Sequence, residues 1–251
     1  MKILLLDIET APNIVHVWGL WNQNVAINQI IRRGYTICWA AKWYGDRKIM
    51  FSSRYEDTPP KMIKKVWALI DEADVVVHYN GTKFDMPTLN TEFLVLGLPP
   101  PSTYQNVDLY RVCKQMFRVA SYKLDYIVQM LEIGKKVPHK GHQLWIDCMN
   151  GIEGAWRTMK RYNKGDITIL ESLYRKLIGW IHNHPNQNVY NDNGERVCVN
   201  CGSKRVKGKG WAYTPMNKYQ RFICKDCGKN MRGRRTVLSD ETRATMVASA
   251  R

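Results

Sequence analysis

Asp7 and Glu9 stand at the end of the first apolar run, KILLLDIET. Asp85 closes the segment Asn80-Gly-Thr-Lys-Phe84-Asp85, and Asp166 follows Tyr162 by four residues in YNKGD. Four carboxylates and a phenol in this order suit phosphodiester cleavage. That reaction must neutralise charge on a phosphorane-like transition state and activate a water, and two divalent ions about 4 Å apart do both. Oxygen donors match Mg²⁺ or Mn²⁺. Carboxylates packed together repel unless a cation binds, so metal dependence follows from the cluster itself. Taken singly, each residue has an ordinary reading: an Asp after a strand is often a helix cap, and a lone Asp on a helix is usually solvated. The conjunction carries the functional one.

The elements that must position these groups are legible in part. Residues 2–8 read as a buried strand. Residues i and i+2 of a strand share a face, so Asp7 and Glu9 present their carboxylates side by side. Residues 35–52 read as a hairpin turning at Gly45-Asp46. Pro59-Pro60 opens a helix with Met62, Val66, Leu69 and Ile70 on one face. Residues 74–79 form a second buried strand, and a helix starts at Asp85, with Leu89, Phe93 and Leu96 as its stripe, and stops at Gly97. Further helices are expected at 108–118, 122–133 and 152–182. Tyr162 and Asp166 fall one turn apart on the last of these. The fold class expected is α/β, a mixed sheet flanked by helices. Asp108 reads as a helix cap, with a supporting role near the site as the other reading.

The chain has 251 residues, with 38 Lys+Arg against 22 Asp+Glu and a formal charge of +16. That charge predicts a polyanionic partner, nucleic acid above all. No apolar run approaches the roughly 20 residues of a spanning helix, so a membrane is not expected. MKILLLD is interrupted at once by acidic residues and does not read as a signal peptide. The cytoplasm, of a bacterial or phage-infected cell, is the expected location, and the seven cysteines are then thiols or metal ligands.

DIET, NGTKFD and YNKGD resemble the three motifs of the DEDD superfamily of exonucleases, which have a ribonuclease H-like fold. The Tyr-x-x-x-Asp form of the third motif is that of the tyrosine branch. The second motif is similar to that of the proofreading domain of family-B DNA polymerases and its stand-alone phage and bacterial relatives. The resemblance covers roughly residues 1–182. It implies that Asp7, Glu9, Asp85 and Asp166 hold two Mg²⁺ or Mn²⁺ and that Tyr162 orients the attacking water. It also implies that Asn80 and Phe84 contact the terminal nucleotide and that Thr10 touches the 3′ end through its backbone. Core packing is the competing reading for Phe84. His142 and Asp147 match the histidine branch's His-x-x-x-x-Asp. Asp147, however, is followed by CMNG, which soon breaks a helix, whereas Asp166 is followed by a long amphipathic one. His139 and His142 read as loop residues able to contact phosphate.

Cys198-x-x-Cys201 and Cys224-x-x-Cys227 lie 22 residues apart, each pair followed by Gly. Paired knuckles aim four thiolates at one ion, and four sulfurs suit a structural Zn²⁺. The module resembles a zinc ribbon. Cys38, Cys113 and Cys148 read as core or incidental residues. From residue 190 onward 14 Lys+Arg face 5 Asp+Glu, a net +9. Lys204, Arg205, Lys207, Lys209 and Arg221, interleaved with Trp211, Tyr213, Tyr219 and Phe222, are the expected phosphate and base contacts. The competing reading makes the aromatics a small core and the charges a solvated face. The run Arg232-Gly-Arg-Arg235 contacts phosphate or stays disordered.

The expected organisation is therefore an exonuclease domain at 1–182, a linker at 183–194, a zinc ribbon at 195–231, and a basic or polar tail, disordered, at 232–251. The expected activity is metal-dependent 3′→5′ hydrolysis of single-stranded DNA or frayed ends, releasing nucleoside 5′-monophosphates. The alternatives are a 3′→5′ exoribonuclease, a structure-selective endonuclease, and a non-catalytic nucleic-acid-binding or recruitment factor. A replication or repair protein docked on the ribbon is a further expected partner.

Overall fold

Alternation along the first strand decides which groups reach the site. A computed structural model describes residues 1–191 and 194–248. The chain divides into two units, Met1–Tyr174 and Arg175–Arg251.

In the first unit, β1 (Ile3–Ala11) leads through β2 (Ile14–Val15) and β3 (Ile30–Arg32) to β4 (Tyr35–Trp43) and β5 (Met50–Ser53). Then come α1 (Pro59–Glu72), β6 (Val75–His78), α2 (Asp85–Val95), β7 (Gln105–Asp108), α3 (Leu109–Met116), α4 (Leu124–Met130), α5 (Gln143–Met149) and α6 (Glu153–Leu177). The sheet order is β5-β4-β1-β6-β7. β1 pairs antiparallel with β4 and parallel with β6, so the sheet is mixed. The α/β class expected from sequence is the observed one.

Leu4, Leu6 and Ile8 of β1 pack with Trp39, with Met62, Val66 and Ile70 of α1, and with Leu89 and Phe93 of α2. Ala11 of the opposite register packs with Ile37, with Leu144 and Cys148 of α5, and with Trp156, Met159 and Tyr162 of α6. The period of two thus gives one face of the sheet to the α1/α2 core. It sends Asp7 and Glu9 to the side from which α6 approaches. Pro59 and Pro60 occupy the first turn of α1, where a missing N–H is harmless.

Several elements differ from expectation. The first strand runs to Ala11, four residues beyond Asp7, because β4 continues to pair with it past a bulge between Glu9 and Thr10. β7 is a strand that the sequence QNVD does not announce; only Val107 and Asp108 of its residues are buried, and parallel pairing with β6 defines it. α5 is too short to show a helical period. Residues 12–34 form an arm that leaves Trp18 and Trp21 almost fully exposed.

In the second unit, β8 (Val206–Thr214), β9 (Asn217–Cys224) and β10 (Asn230–Thr236) form an antiparallel sheet in the order β10-β9-β8, followed by α7 (Asp240–Ala244). The disordered tail expected from residue 232 is corrected: residues 232–236 belong to β10, which pairs with β9, and α7 is capped by Ser239. Charge alone does not keep a strand from forming when a neighbouring edge offers it hydrogen bonds. Residues 192 and 193 of the expected linker and 249–251 of the expected tail lie outside the described residues. No described helix is long and apolar enough to cross a membrane.

The loop from β6 to α2 is built on a buried histidine. Gly81 N donates to His78 Nδ1 at 3.1 Å, which leaves Nε2–H to donate to Asn106 Oδ1 at 3.0 Å. Burial lowers the His78 pKa, so the ring stays neutral in that role. A Cβ on Gly81 would meet His78 Cγ at 2.5 Å. Gly81→Ala is therefore expected to destabilise the protein by about 1–3 kcal/mol. Urea unfolding measures this, and an unchanged midpoint would contradict the tight fit of this loop.

Candidate metal centre and cysteine module

The four acidic residues reach the site on three elements. Asp7 and Glu9 come from the end of β1, and Asp85 is the first residue of α2. Asp166 sits within α6, one turn after Tyr162. Carboxylate oxygens of Asp7, Glu9 and Asp166 all lie within 4.8 Å of one another. Asp85 stands beside them, buried, with Oδ1 accepting from Ile8 N at 3.2 Å. His142 and Asp147 are not part of this group: Asp147 accepts from Gln143 within α5, and His142 is exposed at its start.

Burial and mutual repulsion act together on these acids. Burial, then Glu9, Asp166 and Asp85, raise the Asp7 carboxyl well above its usual range. Burial and Asp166 push Glu9 up to about 8, with Lys136 and the Trp145 side chain opposing. Burial raises Asp85 to about 6 against the pull of the Ile8 N–H. Asp166 is raised by burial and held back by Lys136. Its Oδ1 is buried and has no hydrogen-bond partner among the described residues. An oxygen-only donor set, an orphaned buried carboxylate oxygen and carboxyls driven toward protonation fit a site for a hard divalent cation.

Three neighbours of the acids were not placed beside them by the sequence. Lys136 Nζ donates to Asp166 Oδ2 at 2.7 Å and to Tyr162 Oη at 2.9 Å. Burial works against its ammonium, but Asp166 and Tyr162 override that and hold its pKa above the ordinary value. Asn163, fully buried, donates from Nδ2 to Asp7 Oδ2 at 2.6 Å. His139 packs its ring 4.8 Å from Tyr162 and 5.2 Å from Trp145. Asn163 carried a sequence signal in its place inside YNKGD, and His139 read from sequence as a loop residue able to contact phosphate. Lys136 arrives on a loop: its backbone N donates to Asp125 Oδ1 at 3.1 Å, and the next residue, Val137, lies against Gly165. A Cβ on Gly165 would come within 3.0 Å of Val137 Cγ2. A glycine inside a helix costs about 1 kcal/mol relative to alanine, and here it admits the loop that carries the lysine.

The remaining expected residues line this region or flank it. Asn80 adopts a left-handed φ of 65°. Its N and that of Thr82 donate to the Asp108 carboxylate, which also caps α3 through Tyr110 N and Arg111 N. The cap expected of Asp108 is therefore present, and the same carboxylate ties down the loop before Asp85. Phe84 is 47% exposed, which excludes core packing. Thr10 is half-buried beside the β1 bulge.

In the second unit, Cys198, Cys201, Cys224 and Cys227 bring their sulfurs within 4.8 Å of one another. The Cys198–Cys227 and Cys201–Cys224 sulfurs are 3.5 and 3.6 Å apart. Four thiolates around Zn²⁺ at about 2.3 Å would stand about 3.8 Å apart, so the set fits that ion. The two knuckles have matching backbones. Gly202 N donates to Cys198 O and Gly228 N to Cys224 O, both glycines with left-handed φ, 72° and 74°. Cys198 N and Cys224 N donate to Ser203 O and Lys229 O. Asn200, between the first pair, donates to Ile178 O and Ile181 O at 2.6 and 2.8 Å. Of the expected basic contacts, Lys204 pairs with Glu195, Arg205 pairs with Asp226, and Arg221 Nε donates to Lys209 O.

The family model RNase_H_2, of the RNase_H superfamily, matches residues 4–178. Among solved structures, a family B DNA polymerase from the hyperthermophilic archaeon Pyrobaculum calidifontis matches with a TM-score of 0.52 at 20% identity. The match covers 71% of this chain and 24% of that one, and it shows a shared fold. No curated protein matches in sequence.

Two outcomes test the two centres. Between the ordinary 4.5 and the folded value of about 8, Glu9 keeps a proton that the unfolded chain has lost. The cation-free protein therefore loses stability as pH rises through that window. Mg²⁺ or Mn²⁺ is expected to raise Tm by several degrees more at pH 8.5 than at pH 5.5, and Glu9→Gln to flatten the difference; equal shifts at both pH values would count against the cluster. Chelation of Zn²⁺ is expected to abolish the near-ultraviolet circular dichroism of Trp211 and Tyr219. Retention of that signal after complete zinc removal would show that the sheet stands without the ion.

Proposed function

The chain belongs to the RNase_H superfamily, matched over residues 4–178, and from that premise we propose that it is a metal-dependent 3′→5′ exonuclease of the tyrosine branch of the DEDD group. Its proposed substrate is single-stranded DNA or frayed 3′ ends, its products nucleoside 5′-monophosphates. One observation carries the reading: the convergence of Asp7, Glu9 and Asp166 within 4.8 Å, with Tyr162 hydrogen-bonded through Lys136 to the same carboxylate.

In this reading Asp7, Glu9, Asp85 and Asp166 hold two Mg²⁺ or Mn²⁺. Such ions neutralise charge on the phosphoryl oxygens and make water a stronger nucleophile. Tyr162 orients the attacking water. Burial and the neighbouring carboxylates raise its pKa, so the phenol keeps its proton and remains a hydrogen-bond donor. Lys136 fixes the phenol and Asp166 relative to each other and offsets part of the cluster's charge. Asn163 holds the Asp7 carboxylate in one rotamer. Phe84, exposed beside Asp85, stacks on the terminal base, Asn80 hydrogen-bonds the same nucleotide, and the Thr10 backbone meets the 3′ end.

The cysteine module is proposed as a zinc ribbon with a structural ion, contacting substrate phosphates through Lys204, Arg205, Lys207, Lys209 and Arg221. Lys207 and Lys209, which have no carboxylate within 4.0 Å among the described residues, are better placed for this than the paired Lys204 and Arg205.

The test uses 3′- and 5′-labelled single-stranded DNA and RNA, with Mg²⁺, Mn²⁺ or chelator, resolved on a sequencing gel. The wild type is expected to shorten linear DNA from its 3′ end and to spare circles. Asp7→Ala and Asp166→Ala are expected to lose about a thousandfold in rate, roughly 4 kcal/mol of barrier, while retaining binding. Tyr162→Phe is expected to lose about a hundredfold. Cut circles would mean an endonuclease, RNA-only cleavage an exoribonuclease, and full activity of Asp166→Ala would sink the site assignment.

A further inference from the structure

β9 is flanked by irregularities on both sides at the same level. On one side β10 pairs Arg232 with Arg221 and then Thr236 with Tyr219, so Gly233, Arg234 and Arg235 face the single residue Gln220. On the other, β8 pairs Gly208 with Phe222 and then Trp211 with Gln220, so Lys209 and Gly210 face Arg221 alone. Extra residues on one strand leave the ladder and bend it. Here the β10 bulge walls a cavity of about 360 Å³, with Phe222 and Met231 in its lining and Arg196, Arg232, Arg234 and Arg235 around it. That volume lies at the small end of the roughly 300–1,000 Å³ of small-molecule sites.

The lining contains no carboxylate. Among the described residues, none of the four arginines has a carboxylate within 4.0 Å, whereas Arg205 and Lys204 of the same unit are both paired. Two of the guanidiniums lie over rings instead: Arg196 Cζ is 4.1 Å from the centroid of Phe222, and Arg232 Cζ is 4.1 Å from that of Tyr219. A solvated basic face needs neither a cavity nor stacked guanidiniums. Guanidinium forks match phosphate oxygens in pairs, and a guanidinium already stacked on a ring offers its other plane to a nucleobase.

We infer that this cavity is a binding site for one nucleotide of a single-stranded nucleic acid, its phosphate held by Arg234 and Arg235 and its base stacked over the Arg196–Phe222 pair. The choice of a nucleic acid over another polyanion rests on the proposed function. The cavity makes specific what the sequence offered only in outline: it takes Phe222 and the Arg232–Arg235 run from the expected contacts, adds Arg196, and includes none of Lys204, Arg205, Lys207, Lys209 and Arg221.

The experiment is fluorescence anisotropy of labelled dT12 and U12 with the full-length, zinc-loaded protein, in buffer without Mg²⁺ or Mn²⁺. Arg234→Ala/Arg235→Ala is expected to weaken binding of at least one strand tenfold or more. It should also flatten the salt dependence by about 0.7 in log–log slope, the value for one phosphate contact on a single strand. Arg196→Lys, which keeps the charge and loses the planar fork, is expected to weaken binding at least threefold. Lys48→Ala/Lys64→Ala, removing the same charge from the first unit, is expected to change affinity less than twofold. Competition with dTMP is expected to displace the strand at lower concentration than inorganic phosphate does. Zinc content and circular dichroism identify any variant that has failed to fold; for such a variant Arg234→Lys/Arg235→Lys replaces it and is expected to lose at least threefold. Wild-type affinity in the arginine variants, a loss no greater than in the lysine control, or equal displacement by phosphate and dTMP overturns the inference. Cleavage is read separately with Mg²⁺: a protein that binds through these arginines but does not cut would refute the nuclease reading and leave the cavity, and the converse result would do the opposite.

Discussion

Carboxylates crowded within 4.8 Å of one another and largely withdrawn from water repel strongly, and the first unit is arranged around that repulsion. At an effective dielectric constant near 20, two unit charges 4 Å apart interact by about 4 kcal/mol. The protein meets this in three ways. Glu9 and Asp7 are driven toward holding a proton, by burial first and by the other carboxylates second. One cation, Lys136, is brought into the cluster. The rest of the imbalance is left as an oxygen-lined site, with Asp166 Oδ1 unpartnered, that a divalent cation would complete. A site balanced entirely by its own side chains would be more stable and would have nothing left to offer a metal.

The surroundings read as supports for this arrangement. β1 supplies two acids by its period of two and remains paired with β4 beyond them, so the strand end that carries charge is not a frayed end. Gly165 makes room on α6 for the loop that brings Lys136. Asp108 and His78 play the same part for the loop before Asp85, one by accepting backbone N–H groups and the other by filling the space that Gly81 leaves. Both devices place a small residue where a charged or polar group must come close, at a modest cost in local stability.

The second unit solves a different problem. A three-stranded sheet with few buried residues cannot hold itself together by hydrophobic burial alone. Two knuckles with the same backbone hydrogen-bond pattern place four thiols where one ion can bridge them. The same smallness keeps basic residues at the surface, where some pair with acids and others stack on Phe222 and Tyr219.

Residue type and spacing alone decided a good deal. Asp7 and Glu9 had to share a face because a strand repeats every two residues, and Tyr162 and Asp166 because a helix turns every 3.6. The paired CxxC units announced a four-sulfur site, since each pair fixes two ligands locally and needs only one closure. The helices at α1, α2 and α6 were visible for the same reason: their signals lie within a few consecutive residues. What needed the tertiary fold were groups with no local signature. Lys136 sits on an irregular loop, and nothing near it in sequence marks it as the partner of an aspartate 30 residues on. β7 is a strand only because β6 lies beside it, and the RGRR run is ordered only because β9 offers it an edge. The long amphipathic helix that follows Asp166 already favours it over Asp147 in the sequence, and the fold adds the distances: the Asp166 carboxylate lies within 4.8 Å of Asp7 and Glu9, whereas Asp147 accepts from Gln143 within α5. Short-range periodicity writes itself into sequence. Proximity between distant segments does not, because it is set by how whole elements pack.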